Sequence, residues 1–220
     1  MKRRTITLTV LYTAMIALML SLMSCNKQKP KQAEDEKTDE SEILCSCPPA
    51  VLLQPLNDFT EEEARAMIPK MQKLIKEGTG LELDFDVLPR IILSDSTMND
   101  TFTRYRADKI IPMLKDNHHD VVVALLHQDI SCTYQGKKDW GVLGLSLIPK
   151  YKNCVASDFR LKNKKRDFWK VATHEFFHAV CNMHHCPNDD PRCIMKDAKG
   201  HADFSNKEHM CKTCRKNCHL

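Results

Sequence analysis

Glycine is scarce in this chain, six in 220 residues, and none stands in the repeated spacing that cradles a nucleotide phosphate. No internal repeat is found, which removes the stacked-repeat architectures. Net charge is small as well. The formal +4 includes Lys2, Arg3 and Arg4, with no acid before residue 25, so the chain carries about +1 from Cys25 onward. Nucleic-acid binding draws on a basic excess, and none exists here. The cluster Lys162–Arg166 reads as the solvated lead-in to a helix. The longest apolar run, Ile6 to Leu22, is short for a membrane-spanning helix.

Cysteine, by contrast, is plentiful: eleven residues, a number that points to disulfides, metal or both. The first of them closes a distinct segment. A basic start, an apolar run and Leu22-Met23-Ser24-Cys25 resemble a bacterial lipoprotein signal with its lipobox. Residues 1–24 are therefore expected to be a signal peptide and Cys25 the lipidated residue. Residues 25–47 are read as a lipidated flexible linker, being almost wholly charged and polar. Palmitate-class acyl chains at Cys25, each buried CH₂ contributing about 0.8 kcal/mol, would tether a soluble domain over residues 48–220 to a bacterial membrane. Outer membrane, cell surface and periplasmic face all fit that expectation.

The domain shows both helical and strand periodicity. Thr60-Glu-Glu-Glu63 is a capping box before Ala64, Met67, Ile68, Met71, Leu74 and Ile75, with Gly78 as its stop and a kink or split expected at Pro69. Alternation through Leu81, Leu83, Phe85 and Val87 predicts a strand, and Ile91–Leu93 a second short one. A helix is expected over 103–115. Val121–Leu126 is uniformly apolar, as in a strand buried on both faces. After a polar loop at Gly136, Gly141–Ile148 reads as another strand. A helix follows over 167–180, and a second capping box at Ser205–Glu208 predicts a last helix to Asn217. The pattern implies an α+β fold, a mixed α/β sheet with backing helices.

Within the 167–180 helix lies His174-Glu175-Phe176-Phe177-His178. Two histidines four apart share one helix face and can bind one Zn²⁺, with Glu175 placed to reach a water in its open position. A third ligand farther on requires the helix to stop and fold back. His184 and His185 both offer themselves there. Spacing from His178 favours His184; adjacency to Cys186 favours His185. His184 is the residue preferred. If zinc is held, Glu175 acts as general base, and peptide hydrolysis is the chemistry that follows.

These residues, with Cys186, Cys193-Ile194-Met195 and Cys211-Lys-Thr-Cys214, resemble the archaemetzincins over roughly residues 80–220. The family pattern is H-E-x-x-H-x-x-G-x-x-H-C, then C-x-M, then C-x-x-C. Arg104-Tyr105-Arg106-Ala107 resembles a helical segment of the same family. The resemblance implies a metzincin-like zinc peptidase with two zinc ions per chain. His174, His178 and His184 would hold catalytic zinc; Met195 would lie in a tight turn beneath it. Cys186, Cys193, Cys211 and Cys214 would hold structural zinc in a small C-terminal lobe. A peptide or protein would be the substrate, no nucleic acid a partner, and the chain a monomer. Cys181 stands where the family has glycine. Six residues separate Cys186 from Cys193 and fifteen separate Met195 from Cys211, against four and seventeen in the family.

The same four thiols could instead pair as disulfides, and Cys218, one turn beyond Cys214, is a substitute ligand. Cys132 with Cys154, and Cys45 or Cys47 with an unidentified partner, are further candidate pairs. The other class of function that these residues allow is a zinc-bound lipoprotein with a binding or structural role and weak catalysis.

Overall fold

The computed structural model describes residues 49–114, 120–198 and 203–219. Cys25, Cys45, Cys47, the signal segment and the linker lie outside the described residues. Among those described, no helix is long and apolar enough to cross a membrane.

A five-stranded sheet forms the centre. It comprises β1 (Val51–Pro55), β2 (Phe85–Val87), β4 (Val121–Leu126), β7 (Gly144–Ser146) and β8 (Cys154–Ser157), in the order β2-β1-β4-β8-β7. The first four in that order run parallel, and β7 is the antiparallel edge. Strand β4 explains its own sequence. Val121, Val123 and Leu125 enter one apolar cluster, while Val122, Ala124 and Leu126 enter the other, across the sheet. With both faces covered, no position is left for a polar residue.

Helix α1 (Glu61–Thr79) covers the first face. Its capping box is formed: Glu63 N–H donates to Thr60 Oγ1 at 3.2 Å, and Thr60 N–H to the Glu63 carboxylate at 2.8 Å. The helix runs unbroken through Pro69 and ends beyond Gly78, at Gly80, whose φ of +80° suits glycine. Gly78 is inside the helix, against Phe177.

The expected helix over 103–115 is instead a two-residue strand β3 (Tyr105–Arg106), a short helix α2 (Ala107–Ile110) and a 3₁₀ turn over Ile111–Met113. Pro112 sits in that turn, where it costs no helical hydrogen bond. The polar stretch around Gly136 is a hairpin of β5 (Ile130–Tyr134) and β6 (Lys137–Val142), which with β3 makes a three-stranded sheet ordered β3-β5-β6. The single strand expected over 141–148 is therefore shared between two sheets, changing over at Leu143. Ile91 makes only an isolated bridge to Leu56.

Helix α3 (Phe168–Cys181) packs on β4, β7, β8 and α1. The last helix, α4, is confined to Lys212–Asn217. Residues 205–208 form no helix: Asp203 accepts both the N–H and the hydroxyl of Ser205, at 3.0 and 2.6 Å. Ser205 is thus tied back to Asp203, and Lys207 N–H closes a turn on the Phe204 carbonyl at 3.1 Å where a helix would have opened.

Candidate metal centre

Apolar residues of α3, including Val171, Ala172, Phe176 and Phe177, are fully buried in the core. That anchorage fixes the opposite stripe, on which His174 and His178 stand at 4% and 9% exposure. Each imidazole gives its Nδ1 to a backbone carbonyl: His174 to Ile194 at 2.7 Å, and His178 to Met183 at 2.6 Å. A carbonyl only accepts, so both Nδ1 atoms carry the proton and both Nε2 atoms are lone-pair acceptors. Those two Nε2 atoms face each other at 3.0 Å. Burial depresses both histidines, His178 to about 4, so they are neutral near pH 7. Two neutral acceptors at that separation repel unless a cation lies between them. The donor set fits a metal ion, and backbone carbonyls orient its ligands in the way outer partners of metal-binding histidines do.

The third member of the cluster is His185. Its ring lies 5.3 Å from that of His174 and 4.8 Å from that of His178, and the ligand nitrogens of the three fall within 4.8 Å of one another. His184, favoured by spacing, is exposed and stands outside the group. The helix end supplies the reason. Cys181 keeps helical backbone as the last residue of α3, and Asn182 takes the left-handed conformation, φ +46° and ψ +42°. Asn tolerates that region far better than most residues. The reversal thus falls one residue later than a glycine at position 181 would put it, and the third histidine moves one residue with it.

Cys181 has another engagement. It forms a disulfide with Cys218, 37 residues on, so Cys218 is not a substitute metal ligand. Cys132 and Cys154 are buried and unpaired, on different sheets, and the bond suggested between them is absent.

Glu175 is buried beside His174, with the Ser146 hydroxyl 3.2 Å from its Oε2 and 2.9 Å from its backbone carbonyl. Burial pushes its carboxyl up to about 8, with Ser146 opposing the shift. The space it occupies depends on Gly144, where any Cβ would overlap the Glu175 side chain. Nothing in the sequence motif marks Gly144; only its place in an apolar edge strand draws notice. Met195 is fully buried in the tight turn closed by Lys196 N–H on the Cys193 carbonyl at 3.0 Å. The neighbouring Ile194 carbonyl is the one that holds His174.

A cleft of about 1020 Å³ opens onto His174, Glu175 and His185, walled by β6, β7 and residues 159–164. Arg104 and Arg160 also line it, both on Asp129: Arg160 through Nε and Nη2 at 2.8 Å each, Arg104 through Nε at 2.8 Å. The guanidinium of Arg160 lies over Gly141, where a Cβ would collide with it.

Cys186, Cys193, Cys211 and Cys214 converge into a second group, all buried and none disulfide-bonded. Sulfur separations are 3.6 Å for Cys186–Cys211 and 3.9 Å for Cys193–Cys214. A tetrahedron of Zn–S bonds near 2.3 Å has edges of about 3.8 Å, so the group fits a closed four-thiolate site. Burial raises the Cys193 thiol to about 11 and that of Cys214 further still. A cation is what would deprotonate them.

No protein-family profile and no curated protein matches this chain. Solved structures do. The archaemetzincin of Methanopyrus kandleri superposes with a TM-score of 0.58 at 18% identity, over 76% of this chain and 92% of that one. The archaemetzincin of Archaeoglobus fulgidus, solved with malonate, gives 0.58 at 24% identity, over 76% and 99%. The chain has an archaemetzincin-like fold.

Proposed function

We propose that this archaemetzincin-like chain is a zinc-dependent peptidase, with His174, His178 and His185 holding the catalytic ion. The observation that carries this reading is the pair of Nε2 lone pairs facing at 3.0 Å with both Nδ1 atoms committed to carbonyls. Zinc bound there supplies a Lewis acid for the peptide carbonyl and acidifies a water.

The protein's own part is proton handling and positioning. A dication held beside Glu175 would favour its carboxylate form against the burial that lifts it to about 8. In that form Glu175 takes the proton of the attacking water on a carboxylate oxygen and returns it to the leaving amine. Gly144 gives its side chain room, and Ser146 holds it by hydrogen bonds to carboxylate and carbonyl. Burial of His174 and His178 keeps both neutral, the form in which imidazole ligates. The cleft, about 1020 Å³ and walled by strand and by residues 159–164, is where a peptide substrate would lie. The departure at Cys181, which would favour a binding protein with weak catalysis, is accommodated by the left-handed Asn182.

The cysteine group is proposed to hold a second, structural zinc. Cys25 is proposed as the lipidated residue of a bacterial membrane-anchored lipoprotein, acting as a monomer on peptide or protein substrates.

Two zinc ions per chain by elemental analysis, with chelator-sensitive hydrolysis of a peptide library, is the expected result. Glu175→Gln should keep both ions and lose hydrolysis. Parent-level cleavage by that variant would refute the mechanism. Metabolic labelling with palmitate, abolished by Cys25→Ala, tests the anchor.

A further inference from the structure

Lys207 is only 4% exposed. Its Nζ donates to the Pro191 carbonyl at 3.1 Å, and a carbonyl carries no full charge to offset an ammonium. Burying such a group is expensive unless an anion lies close. The residue is two before His209, which bridges to Cys193, and Glu208 N–H donates to the Arg192 carbonyl at 2.9 Å. This places Lys207 against the segment Pro191–Cys193, which carries one of the four cysteines. Burial, with Lys196 adding to it, pulls the Lys207 ammonium below the usual lysine range, and negative charge at Cys193, Asp190 and Cys186 opposes that shift. Asp190 keeps its carboxylate charge while bonded to His209 at 2.8 Å, so it shares the offset with the thiols.

We propose that Lys207 is the internal counter-cation of the four-cysteine site, a positioning residue that offsets its thiolate charge. This rests on the reading that the cysteines hold zinc. Four thiolates around Zn²⁺ leave two negative charges in a buried lobe, and one ammonium halves them.

The test uses the full chain with His174→Ala and His178→Ala, so that only the cysteine site loads. Zinc affinity is read by competition with a chromophoric chelator, and the thiolate-to-cobalt charge-transfer band after Co²⁺ loading. Lys207→Met should weaken zinc by ~10–100-fold, the range found for residues that support metal ligands, and move the band to lower energy. Lys207→Arg should restore both. Unchanged affinity and band in Lys207→Met would overturn the proposal, as would an equal loss in Lys207→Arg, which would assign the effect to packing. Should Lys207→Met fail to fold, the Nζ resonance of Lys207 in the parent decides: it should shift on zinc loading, and no shift overturns the proposal. Absence of zinc from the cysteines of the parent itself would instead refute the underlying reading.

Discussion

Cys181, the last residue of the helix that carries His174 and His178, is bonded to Cys218, just beyond the last helix. The helix end that aims the third histidine is therefore stapled to the cysteine lobe. Cys181→Ala with Cys218→Ala opens a 37-residue loop, for which chain entropy gives about 4 kcal/mol as an upper value. A fall in the denaturant midpoint toward that size is expected. No change in midpoint would show that the staple adds nothing to the metal-loaded fold.

His184 and His185 separate cleanly by zinc count. His185→Ala should bring the chain from two zinc ions to one, or weaken the second until dialysis removes it. His184→Ala, altering an exposed side chain outside the cluster, should keep two and leave hydrolysis near the parent rate. The reverse pattern would restore the assignment that spacing alone favoured.

Asn182 makes that distinction possible. Asn182→Gly should be tolerated, whereas Asn182→Val should cost on the order of 1–2 kcal/mol, because a β-branched residue resists the left-handed conformation. Zinc affinity at the histidine site should fall with Asn182→Val more than at the cysteine site. Equal affinity at both sites would show that the turn does not position His185.

At Gly144 the expected effect is on kcat. Gly144→Ala puts a methyl group into the space of the Glu175 side chain, so Glu175 must leave its place beside Ser146. Hydrolysis should drop by about a hundredfold or more, the low end of what general acid–base catalysis contributes, while both zinc ions remain bound. Full activity in this variant would mean that Glu175 works from another rotamer.

Much of this is legible in the residues. The H-E-x-x-H helix and the strand β4 announce themselves because each has one dominant period and buried surroundings. The hairpin β5–β6 does not, since most of β6 is exposed, and β1 is hidden behind Cys47-Pro-Pro. Ser205–Glu208 has the letters of a cap but lies where Asp203 has already claimed Ser205. The same limit governs the third histidine. Counting residues from His178 assumes where the helix turns, and the turn is set by which backbone accepts a positive φ. Arg160 reaches Asp129 across 31 residues of chain. The space left by Gly141 for Arg160, and by Gly144 for Glu175, likewise joins residues on separate elements. No local pattern records such relations.

The cysteine lobe also sets an order of events. Cys186 and Cys211 have their sulfurs 3.6 Å apart, near enough for an oxidant to couple them after a small movement, while Cys181 and Cys218 are already coupled. One lobe thus asks for oxidation at one pair and its prevention at four neighbouring thiols. Zinc at the four thiols, as proposed above, would resolve this as a protecting group does in synthesis: those thiols would be masked, and the pair left over would be the one free to oxidise. On that reading metal has to arrive before the oxidant, and a chain oxidised first would lose the cysteine site.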